Sequence, residues 1–142
     1  MKKALILSLF LLIIQTVNSQ WVSNFGGNQS GDLNIVNAKG LAITNDNSGN
    51  CYVAGYIQSE YNGNDIAVIK YSQTGDTLWT GTFNGEGNSE DKAFGIVTDD
   101  NNNVYVTGSV TMTGRGLELI IIKFNPAGHI LWYKTFGATA NN

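Results

Sequence analysis

The sequence predicts an all-β fold, and three observations carry that reading. Residues 38–85 align on residues 91–138 at a single offset of 53 without a gap, and 15 of the 48 pairs are identical. Beyond Gln20, no window of ten or more residues places apolar side chains at helical spacing; instead, short runs rich in Val, Ile, Tyr, Phe, Trp and Thr recur between Gly, Asn and Asp, which is the signature of closely spaced strands. Two of those runs, residues 66–69 and 119–122, are apolar without alternation, as expected of strands covered on both faces. A repeat of roughly 50 residues belongs to stacked arrays in which each unit shields its neighbour.

The first nineteen residues stand apart from the repeats. Lys2 and Lys3 precede an apolar run at residues 4–14, and Val17 and Ser19 supply the modest side chains a signal peptidase reads. Residues 1–19 are therefore expected to be a secretory signal peptide cleaved after Ser19. The run is too short to span a bilayer, which takes about 20 residues. Residues 20–37 hold one strand of a partial unit and a linker, because residues 21–27 match residues 79–85 and 132–138. That stretch is the last strand of a unit whose other strands do not precede it.

Within the first repeat, residues 38–85, four strands are expected at about 41–44, 51–57, 65–71 and 77–83. After a linker at 86–90, the second repeat, residues 91–138, places them at about 94–97, 104–110, 118–124 and 130–136, with a tail at 139–142. The turn at 46–50 and its counterpart at 99–103 consist of Asp, Asn, Ser and Gly, which bond their own backbone and tolerate positive φ. In the turn at 125–128, Pro126 presets φ and Gly128 supplies the left-handed position;. Each repeat thus reads as a four-stranded antiparallel meander.

A sheet that is apolar on both faces must be covered on both, and blades of a β-propeller packed face to face provide that cover. A β-sandwich, with one buried face per sheet, fits the unbroken runs less well. The expectation is an incomplete propeller of about two blades. The strand count does not balance for closure, since fourth strands number three and second strands two. A partial reading frame ranks first as the reason, a ring assembled from several copies second, and a two-blade monomer last.

The residues shared by both repeats include Tyr52 and Tyr105, Gly55 and Gly108, Lys70 and Lys123, Gly75 and Gly128, and Trp79 and Trp132. Together with the runs at 43–46, 49–55, 65–70 and 75–79, and their counterparts in the second repeat, this pattern resembles the bacterial SBBP (seven-bladed beta-propeller) repeat. The resemblance covers about 115 residues. It implies a secreted or cell-surface propeller, often part of a larger protein, and no particular activity. Cys51 departs from the pattern's aliphatic residue, and Asn102-Asn103 from its Gly-Asn.

Composition narrows the function. Without residues 1–19 the chain carries six basic and eleven acidic side chains, a balance that attracts neither nucleic acid nor an anionic membrane. No segment is expected to insert into a membrane. Cys51 is the only cysteine, so no intramolecular disulfide is expected and a small buried hydrophobe is the simpler role. His129 is the only histidine and lies in a turn, which leaves no zinc cluster and no Ser–His–carboxylate triad;. Asp46, Asp99 and Asp100 offer oxygen ligands of the kind calcium takes, but they lack the EF-hand spacing, and turn formation is their simpler role.

Lys70 and Lys123 read as strand-end lysines whose stems cover aromatic neighbours while the charge reaches water. Trp79 and Trp132, which could stack on sugars, recur at equivalent places as packing residues do. The loops around Gly63 and Gly116 are the candidate binding rim. The expected function is a noncatalytic extracellular binding or scaffold module with no cofactor, and part of a propeller enzyme acting on polysaccharide or peptide is the alternative. Its expected partners are further blades, other copies of the chain, or an extracellular glycan or protein.

Overall fold

A computed structural model describes residues 35–59 and 63–137. The expected signal peptide, the strand at 21–27 and the tail lie outside the described residues. Eight strands follow one another: β1 (Ile35–Asn45), β2 (Cys51–Ser59), β3 (Gly63–Tyr71), β4 (Thr77–Phe83), β5 (Lys92–Thr98), β6 (Val104–Met112), β7 (Gly116–Phe124) and β8 (Ile130–Phe136). They form two four-stranded antiparallel sheets in sequence order, β1-β2-β3-β4 and β5-β6-β7-β8. The fold is all-β, and each sheet is one blade-like meander of an incomplete propeller.

The offset of 53 holds at the level of backbone detail. A β-bulge falls between Gly40 and Ala42 in β1 and between Ala93 and Gly95 in β5. Gly63, Gly75, Gly116 and Gly128 all take positive φ at paired positions. A Cβ on Gly55 would collide with the Lys39 carbonyl, and one on Gly108 with the Lys92 carbonyl, so the tight approach of the first two strands requires glycine at both places. β1 begins well before residue 41, and β3 and β7 begin two residues earlier than expected, at the positive-φ glycines that close their hairpins.

The core lies between the sheets. Tyr52, Ala54, Ile66 and Val68 of the first sheet meet Val104, Val106, Ile120, Ile122 and Phe124 of the second. The two long apolar runs differ in one respect from expectation. β3 is buried continuously from Ile66 to Tyr71, whereas β7 alternates, with Ile120 and Ile122 buried and Leu119 65% exposed. Among the described residues, no third sheet covers the outer face of β5–β8.

The crossing between the sheets is a built structure. Asn64 of β3 forms a parallel bridge to Glu90, the Asn64 amide donates to the Ser89 carbonyl, and the Asp91 amide donates to the Asn64 carbonyl. The Gly87 amide donates to the Thr111 carbonyl. The segment expected as a plain linker is therefore bonded to both sheets.

Candidate functional site

The same polar cluster appears once in each sheet, at the end where the first two strands meet. Asp46 follows β1 and its carboxylate turns back over the hairpin. Its Oδ1 accepts from the amides of Ser48 and Asn50, at 3.0 and 2.9 Å. Its Oδ2 accepts from Asn50 Nδ2 and from the Tyr52 hydroxyl, both at 2.9 Å. Lys70 Nζ lies 3.4 Å from that oxygen and 5.0 Å from the Tyr52 ring centroid. Trp79 closes the group, edge-on to Tyr52 at 5.9 Å. β1, β2, β3 and β4 each contribute one of these side chains or flank it, so the cluster ties the whole meander together.

Electrostatics follow from that crowding. Burial is the largest single influence on Asp46 and opposes ionisation. The bonds from Asn50 and Tyr52 and the charge of Lys70 together outweigh it and hold the carboxyl at about 2;. Burial, then the hydrogen bond and the negative charge of Asp46, raise the Tyr52 phenol. Lys70 is nearly buried, with its ammonium over the ring and on the carboxylate. Its charge is thus spent on Asp46, not on water as the sequence suggested, because the carboxylate sits closer than the surface does.

The second cluster repeats the first more loosely. Asp99 accepts from the amides of Asn101 and Asn103 and from Asn103 Nδ2. The Tyr105 hydroxyl lies at 3.3 Å and Lys123 Nζ at 3.9 Å. Trp132 stands edge-on to Tyr105 at 6.2 Å. The bond from Asn103 does most to lower the Asp99 carboxyl, against the effect of burial.

Asp46 and Asp99 thus meet donors supplied by the protein itself. Asp100 is an exposed turn residue. Among the described residues, no three His, Cys, Asp or Glu side chains converge as a metal site. Trp79 sits between the sheets, stacked on Phe124 at 6.2 Å with its Nε1 donating to the Pro126 carbonyl at 3.0 Å. Trp132 is exposed on the outer face of the second sheet.

Cys51 is half-buried, and burial raises its thiol. It lines a cavity of about 330 Å³ on the face of the first sheet turned away from the second, with Ile43, Val53, Gly55, Ala67 and Ile69. His129 is exposed in its turn, its amide held by Asn125 Oδ1 at 2.9 Å.

Sequence reasoning missed Asp91. It is fully buried and accepts from the amides of Gly85 and Thr111, locking the crossing segment onto β6. Its counterpart in the first repeat is Ala38. That break in the repeat, an acid where its partner is small and apolar, was the available signal. Burial and then the nearby charge of Asp91 raise the carboxyl of Asp65. Asp65 and its counterpart Glu118 each keep one buried oxygen without a hydrogen bond. Glu118 faces Arg115 at 3.4 Å.

Two stacked meanders with one polar cluster apiece define a propeller-type repeat protein. The family model described as SBBP, beta-propeller repeat, matches residues 85–109, from the crossing segment through β5 into β6. No curated protein matches the chain.

Proposed function

We propose that this chain is an exported, noncatalytic binding or scaffold module of the extracellular face, built from propeller repeats. One observation carries the reading. The polar side chains that recur in both sheets are consumed in holding turns and strand ends, so they serve the frame. The acidic balance agrees with a surface that avoids nucleic acid and anionic membrane;. The segment at 1–19 supports export, with cleavage after Ser19;. A glycan or protein ligand would meet the loops at the blade ends, where Gly63 and Gly116 set the strand entries.

The test pairs two assays on the complete gene product: binding to an array of extracellular glycans, and hydrolysis of the same glycans and of peptides. Retention without turnover is the expected result. Turnover would overturn the noncatalytic role in favour of a propeller enzyme.

A further inference from the structure

We propose that residues 21–27 cross the outer face of the first sheet as a lone fourth strand, with the Trp21 indole seated on Tyr71. That face is turned away from the second sheet, yet on it Ile57 is 4% and Tyr71 5% exposed, and Ala67 and Ile69 are buried as well. None of the four belongs to the core between the sheets. The cavity beside them is lined, among the described residues, by β1, β2 and β3 alone. Tyr71 also has a partner of its own.

The contact between the sheets shows what kind of cover leaves that pattern. Shifted by 53, Tyr71, Ile57 and Ile43 become Phe124, Val110 and Ile96. β4 and the residues just after it cover the first two: Trp79 stacks on the Phe124 ring at 6.2 Å, and a Cβ on Gly85 would strike Val110. β1 and β2 lie against β5 and cover Ile96, which is 7% exposed. On the outer face of the first sheet, the positions of the β4 type are shielded while Ile43 stays 70% exposed. A fourth strand without its first two neighbours gives that result. A complete sheet from a second copy would bury Ile43 too.

The chain holds one further strand of that type. Trp21, Phe25 and Gly27 match Trp79, Phe83 and Gly85 at an offset of 58. Tyr71 offers it the same seat. Gly75 takes φ 87 as Gly128 takes 86, and a Cβ on Gly128 would strike the Trp79 indole;. The Gln73 carbonyl stands where that of Pro126 accepts from Trp79 Nε1. Ser23 replaces Gly81, whose Cβ would come within 3.0 Å of the Phe124 ring, so the Tyr71 ring yields slightly. From Phe25 to the bulge at Gly40 the chain advances fifteen residues, and from Phe83 to the bulge at Ala93 ten, so the connection reaches. Among the described residues, the outer face of β5–β8 is then the open sheet face left for a partner.

Cys51 reports the cover, because it is the only cysteine and pairs with Tyr71 on that face. Its reaction with Ellman's reagent in the secreted chain is expected to be slow beside that of the urea-unfolded chain. Trp21→Ser is expected to speed it about tenfold, the worth of one stacked aromatic pair, and to keep the wild-type far-ultraviolet circular dichroism. Trp132→Ser, on the exposed face of the second sheet, is expected to leave the rate unchanged. Nuclear Overhauser spectra of the wild type are expected to join the Trp21 indole to the Tyr71 ring. A folded Trp21→Ser chain that reacts at the wild-type rate, an equal acceleration by Trp132→Ser, or a Trp21 indole with no contact to Tyr71 overturns the proposal. Should Trp21→Ser unfold, the wild-type Overhauser contact alone decides. Turnover of glycan by the chain would end the noncatalytic role and leave this packing standing.

Discussion

At the scale of single residues, Asp46 does the most. It is nearly inaccessible, accepts four hydrogen bonds and pairs with Lys70. Removing the charge strands a buried ammonium, which is strongly destabilising. Asp46→Asn is expected to lower stability by about 3 kcal/mol in urea unfolding, and Asp99→Asn, at the looser cluster, by less. The folded carboxyl of Asp46 lies at about 2, below its ordinary 3.8. A lowered carboxyl stabilises the fold above the unfolded value and ceases to do so as pH falls through the folded one. That contribution, on the order of 2 kcal/mol at neutral pH, is expected to fade between about pH 4 and pH 2, and Asp46→Asn should flatten the stability curve there.

Asn102 is the other informative residue. It takes φ 59 where the first repeat has Gly49 at φ 76, and its Oδ1 is buried without a partner. Asn102→Gly removes both penalties and is expected to raise stability by about 0.5–1 kcal/mol, seen as a higher urea midpoint. The departure from Gly at this position was visible in the sequence. Asp91 was marked only by its mismatch with Ala38, and its burial was not legible, because a buried acid carries no local pattern of its own.

Among the elements, the strands were largely legible and their reach was not. β4 and β8 fall where the sequence placed them, because a turn glycine and the Trp–Phe spacing bound them on both sides. β1 runs back to Ile35 through Asn37, Lys39 and Gly40, which break the apolar pattern, since the pairing with β2 supplies its stability. The contact that joins the elements is Phe124, fully buried and stacked on Trp79. Phe124→Ala is expected to cost about 4 kcal/mol in thermal or urea unfolding. It should also loosen the first sheet, whose Gly81 lies against the same ring.

For the whole molecule, stacking was legible in the unbroken apolar runs, but coverage was not. Residues 66–69 and 119–122 look alike as sequence. One is buried on both faces and the other on one, a difference fixed by what lies next to each sheet. The polar clusters were legible only as recurring positions. Their partnership depends on β3 bringing Lys70 back over Tyr52, a contact set by the antiparallel register and not by local spacing.

The central claim is that one repeat covers the next, and the Trp79 indole reports on it directly. Nuclear Overhauser spectra of the folded chain should connect that indole to the Phe124 ring, and its N–H, bonded to the Pro126 carbonyl, should exchange slowly. An indole that shows no contact with Phe124 and exchanges as fast as a free tryptophan would contradict the stacked arrangement.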